Sequence, residues 1–195
     1  MNLWINEDDR MNLMGDLPQK VKRINDIVHQ ANADIFNIWL NEMLFKWHWW
    51  LEFSLAVCSW TLWIILRRKE STARLLFAGS IAVILSSFFD AIGMAMGLWG
   101  YNSKLIPLIP PYVTWDFCLI PVGIMLTLQY FPKANPLIKG MIISGIGTFI
   151  AQPLYRWIGI YASYYWKDYY SFPISVGIYL ISHYAFTRKT FDKIV

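Results

Sequence analysis

Five apolar stretches, each bounded by basic or aromatic residues, constrain this chain more than any other feature. They run over about 47–66, 75–98, 112–130, 137–157 and 172–186. A helix needs roughly 17–25 residues to cross a bilayer's hydrocarbon core. Arg67, Arg68 and Lys69 stop the first stretch, and Trp99 and Tyr101 close the second. Phe131, Pro132 and Lys133 end the third, and Arg188 and Lys189 end the shorter fifth. Charged residues are only 15% of the 195-residue chain. That is too few to cover a water-facing surface, where roughly 25% is usual. The expected fold class is therefore all-α: a polytopic membrane bundle of about five transmembrane helices.

Before the first stretch lies a polar segment, 1–46, distinct from the transmembrane domain at 47–195. Gly15, Asp16, Leu17 and Pro18 read as a turn and helix start. Val21, Ile24, Val28, Ala31, Ile35 and Ile38 then recur every three or four residues, which predicts an amphipathic helix. Its stripe suits packing on the protein, lying on the bilayer surface, or pairing in a homo-oligomer. The start of the chain lacks a signal-peptide pattern, so the first span is expected to act as its own insertion signal.

Basic residues in successive loops alternate rich, poor, rich, poor, rich. Arg67, Arg68, Lys69 and Arg74 are followed by Lys104, then Lys133 and Lys139, then Lys167, then Arg188, Lys189 and Lys193. The rich side is cytoplasmic by the positive-inside rule. This predicts a multipass cell-membrane protein with its N-terminus outside and its C-terminus cytoplasmic. The basic residues thus mark topology and do not point to nucleic acid. The loop 100–111 contains Pro107, Pro110 and Pro111 and cannot be helical throughout. The tyrosines and tryptophan of 160–170 read as an interfacial aromatic belt.

Antiparallel spans bring Glu52, Asp90, Asp116, Gln152 and Arg156 toward one face of the membrane. Asp90 is deepest, roughly 13 Å from the interface that Trp99 marks. An acid at depth is costly and must face the interior. Gly93 and Gly97 follow on the same face, and that spacing predicts close approach of another helix. Asp90 therefore reads either as a hydrogen-bonding anchor at a helix seam or as a proton donor. Asp116 either caps the third span or meets Asp90, in which case the pair holds a proton. Trp99, Tyr101 and Trp115 are candidate substrate-binding residues that could stabilise a carbocation through their ring faces. Gln152 and Arg156 join them as candidates, with Arg156 pairing one of these acids or snorkelling to headgroups. Glu52 and His48 read as interfacial. Cys58 and Cys118 read as small hydrophobes, and no Cys/His spacing suggests a metal or a cofactor.

Asp90, Gly93, Gly97, Trp99 and Tyr101, followed by Pro107, Trp115, Asp116 and Pro121, form a pattern. Trp39, Glu42, Phe45 and Trp47–Trp50 precede it, and Gln129, Phe131, Pro153, Gly159, Tyr161, Trp166, Tyr170 and Pro173 complete it. Over about 39–186 the chain resembles an uncharacterised family of small multipass membrane proteins from spore-forming Gram-positive bacteria. Members often carry a glutamate where this chain has Gln152. The resemblance implies a membrane fold and no particular reaction. Asp90, Gly93, Gly97, Trp99 and Tyr101 also resemble part of the membrane-embedded lycopene-cyclase-type domains, although Asp116 stands alone where those carry paired acids. That similarity implies acid-initiated chemistry on a hydrophobic isoprenoid substrate.

Three functions follow. The sequence favours a non-enzymatic envelope or assembly component with a structural polar cluster. An acid-initiated cyclase or isomerase of an isoprenoid lipid, using Asp90 and/or Asp116, is the alternative. A small transporter is the third, with less support because no internal repeat is visible.

Overall fold

A computed structural model describes residues 17–188. The chain is mostly helical, as expected for an all-α protein. It divides into two compact units, one ending at Glu42 and one beginning at Met43. The turn residues Gly15 and Asp16, and the tail residues Lys189 and Lys193, lie outside the described residues.

The first unit contains α1, Leu17–Ile38. Proline near its start is pre-set for helical φ and lacks a donor the first turn does not need. None of its residues is buried, and Val21, Ile24, Val28, Ile35 and Ile38 are all exposed.

In the second unit, α2 (Trp47–Leu66) leads through a short turn to α3 (Thr72–Ala95). A wide π turn, Thr114–Leu119, leads into α4 (Ile120–Tyr130). The next helical run is α5 (Pro136–Ile146), a second π turn (Gly147–Ala151) and α6 (Gln152–Trp157). The last helix is α7 (Ser171–Thr187). Three continuous runs are long and apolar enough to cross a membrane: Trp47–Leu66, Lys69–Ala95 and Pro136–Trp157.

Both π turns have the same cause. Each ends two residues before a proline, Pro121 or Pro153. Proline has no N–H for the carbonyl one turn back, and its ring pushes that carbonyl aside. The freed carbonyl of Phe117 finds a new donor, Trp60 Nε1 at 3.1 Å. The irregularity thus ties α4 to α2.

Helix α3 packs on α4 and α7, α7 also packs on α5, and α2 packs on the first π turn. One core joins Trp63, Leu75, Ala82, Met125, Leu128 and Tyr179. A second joins Tyr112, Tyr155, Ile160 and Tyr161. Gln129 ties the ends of two helices, donating to Leu66 O at 2.8 Å and accepting from Arg68 N at 2.8 Å. Many positions within the bundle are small or polar: Ser59, Ser86, Ser144, Thr148 and Ser182 are buried. Large apolar side chains point outward instead, among them Ile65, Ile84, Phe88, Ile142 and Ile150.

Sequence periodicity did not reveal a short ribbon. Strand β1 (Trp99–Tyr101) pairs antiparallel with β2 (Tyr161–Ser163), with Gly100 opposite Ala162. Part of the expected aromatic belt is therefore pulled inside, and Tyr161 is buried.

Candidate functional site

The site begins where α3 ends. Gly97 has φ +64°, a left-handed conformation that suits glycine. Leu98 N donates to Gly93 O and Gly97 N to Met94 O, both at 2.9 Å. This is a Schellman cap, which stops the helix and reverses the chain. The reversal lays the Trp99 indole over Gly93. A Cβ at position 93 would lie 1.9 Å from Trp99 Cη2. The glycine spacing therefore serves a returning tryptophan and a helix cap, and not the approach of another helix. Gly93→Ala is expected to destabilise the protein by about 1–3 kcal/mol through overpacking. Gly177→Ala, where an added Cβ meets nothing within 4 Å, should be neutral or slightly stabilising. Thermal unfolding of the two variants in detergent checks the contrast.

Folded back in this way, Trp99 Nε1 donates to Asp90 Oδ1 at 2.7 Å, and Tyr101 OH donates to the same oxygen at 2.7 Å. Burial, and next the Asp90 charge, hold the Tyr101 phenol well above its usual range, so it remains a donor. Tyr112 supplies a third bond. Its carbonyl accepts the first helical N–H groups, from Trp115 and Asp116, while its own N–H precedes the helix and has no partner there. That N–H donates to Asp90 Oδ2 at 2.8 Å and to Asp116 Oδ2 at 3.1 Å. Asp90 and Asp116 thus share one donor and their side chains interact. Asp116 accepts from the N–H just ahead of its helix and meets Asp90 at the same time.

Both carboxyls face a cavity of about 340 Å³, within the range of small-molecule sites. Trp99, Tyr101, Trp115 and Gln152 line it as well. Ile124, Ile143, Ile174 and Ile178 form much of the apolar remainder. Gln152 Nε2 donates to Tyr161 OH at 3.0 Å. Tyr101 stacks on Tyr112 with ring centroids 4.1 Å apart, and Trp166 meets Trp99 edge-on at 5.1 Å.

Two expectations change. Arg156 does not line the cavity; it forms an ion pair with Asp168 and stands over the Tyr161 ring. An acid in the loop outcompetes the buried pair because the guanidinium stays partly solvated there. Glu52, read as interfacial, is fully buried inside the protein, with Ser103, Lys104 and Leu105 of the loop 102–111 as its neighbours. His48 accepts from or donates to no acid; its Nε2 lies 2.8 Å from Ile158 O. Among the described residues no group of His, Cys, Asp or Glu is arranged to hold a metal ion. Cys58 is exposed and Cys118 buried, and both are free.

Tyr112 and Tyr161 were missed as site residues. Position offered a signal for Tyr112, the residue after Pro110-Pro111 whose N–H is orphaned at a helix start. Tyr161 had none, because its burial depends on strand pairing with a segment some 60 residues away. Comparison with known protein families, characterised proteins and solved structures finds no match to the chain.

Proposed function

We propose that this chain is a five-span protein of the cell membrane, and that its cavity receives the unsaturated part of an apolar lipid for acid-initiated isomerisation or cyclisation. Several features support the membrane reading. Three helical runs have spanning length. The 17 residues of α7, and the six-residue π turn with the 11 residues of α4, reach the lower limit of roughly 17 for a crossing. Small and polar residues inside with large apolar ones outside suit a bundle in lipid, where close packing and hydrogen bonds hold helices together. The alternation of basic loops favours an outside N-terminus and a cytoplasmic C-terminus.

The observation that carries the chemical reading is the carboxyl pair facing an apolar cavity. Two negative charges this close in a low dielectric repel strongly, so the pair is cheapest with one proton between them. Asp90 already accepts three protein donors, which suits the ionised partner. Asp116 then carries the proton. Its O–H bond breaks as the proton adds to one carbon of an alkene, and the neighbouring carbon becomes cationic. Ring faces of Trp99, Trp115 and Tyr101 suit that charge. The cation is quenched when an adjacent C–H bond returns its proton to the carboxylate pair, so the proton balance is zero. A purely structural cluster accounts for Asp90 but leaves the cavity beside Asp116 without a role.

The test is to place the full chain in membranes supplied with polyprenyl lipids in D₂O. Acid-initiated chemistry incorporates deuterium into the lipid and changes the lipid profile. An unlabelled, unchanged profile with the protein verified in the membrane would sink the reading.

A further inference from the structure

A second polar centre lies on the other side of Tyr112. Glu52 is fully buried, and so is Thr114; Ser103, Tyr112 and Tyr155 are buried nearly as completely. The Glu52 carboxylate has Ser103 and Tyr112 hydroxyls and the Leu105 backbone as close neighbours, and Thr114 adjoins the Tyr112 hydroxyl. Tyr155 also faces Glu52. Yet no direct hydrogen bond of good geometry closes among them: both Glu52 oxygens and the Ser103, Tyr112, Thr114 and Tyr155 hydroxyl oxygens are without a partner. Burying that many unpaired oxygens is expensive, and a native structure that does so has a use for them.

We propose that Glu52 and these hydroxyls form a binding site for one hard monovalent cation of the sodium type. The donors are all oxygen, which selects hard cations over thiophilic or imidazole-seeking metals. The charge of one carboxylate balances one positive charge. Lys104 limits the site further. Its ammonium, directed at the carbonyls of Ile109 and Pro110 at 3.4 and 3.3 Å, adds a positive field that a divalent ion would have to overcome. Burial pushes Lys104 below the usual lysine range, while Asp90 and Glu52 pull it back. The site draws residues from α2, the proline-rich loop, the start of the first π turn and α6, so an ion here would fasten that loop to the bundle. The inference does not depend on the cavity chemistry.

Thermal unfolding of the purified full chain in sodium chloride and in N-methylglucamine chloride, at equal pH and ionic strength, tests it. The melting temperature should rise saturably with sodium, by on the order of 3–6 °C at about ten times Kd. Glu52→Gln should abolish the rise. Should that variant fail to fold, Ser103→Ala and Thr114→Val keep the carboxylate and should each move the sodium midpoint upward about tenfold. Lys104→Met should move it downward. Equal melting temperatures in the two salts would overturn the site, as would a sodium rise that survives Glu52→Gln or an unmoved midpoint in both hydroxyl variants. A Glu52→Gln/Lys104→Met double variant as stable as the wild type, without sodium dependence in either, would assign Glu52 to Lys104 instead.

Discussion

Asp116→Asn is expected to lower deuterium incorporation from D₂O into a polyprenyl lipid about 10²–10⁴-fold, the usual contribution of a general acid, while leaving the melting temperature within a few degrees of wild type. The amide can take over both structural bonds of the acid. Its carbonyl oxygen accepts from Tyr112 N–H, now served by Asp116 Oδ2 at 3.1 Å. Its NH₂ can donate to the Asp90 side chain, with which the acid already interacts. What it lacks is a proton to give an alkene. Equal labelling by the variant and the wild type would remove Asp116 from the chemistry without touching the fold.

Asp90→Asn should behave in the opposite way. Oδ1 receives Trp99 Nε1 and Tyr101 OH, and Oδ2 receives Tyr112 N–H. Whichever way an amide is turned, its NH₂ faces a donor. One orientation leaves the indole and the phenol unpaired, and the other turns the NH₂ against the Tyr112 N–H, which then keeps only Asp116 Oδ2 at 3.1 Å. Unsatisfied buried donors and lost bonds to a charged acceptor cost about 1–3 kcal/mol each, so a loss of about 3 kcal/mol is expected. For a chain of this size that is a fall of roughly 6–12 °C in melting temperature. A variant as stable as the wild type would show that these three bonds do not hold the ribbon and the proline-rich loop in place. The pair of variants separates the two carboxyls: Asp90 organises the site, and Asp116 acts in it.

The two π turns that precede Pro121 and Pro153 connect this geometry to function. Each of these turns ends two residues before a proline, and widening a helix rotates the side chains before it relative to those beyond. The first turn includes Trp115 and Asp116, and the second ends just before Gln152. Each widened turn re-aims cavity-lining residues, a recurrent use of such turns. Pro121 thereby affects Asp116 without touching it.

The sequence by itself determined the helical class, the approximate ends of the long helices and the identity of Asp90 as a buried acid. These depend on run length, apolar composition and charge placement, which are local properties of the chain. It also indicated that Asp90, Asp116 and Gln152 share a level, because antiparallel helices of similar length make depth a matter of counting. Contact is another matter, because it depends on how helices rotate about their axes and on where loops return. The meeting of Asp90 with Asp116 required the Tyr112 N–H to lie between them. The role of Gly93 depended on Trp99 folding back, and the burial of Tyr161 on a strand pairing distant in sequence. Arg156 found Asp168, and Glu52 was enclosed by a loop. In each case the neighbour was chosen by long-range packing, which no local pattern of the chain encodes.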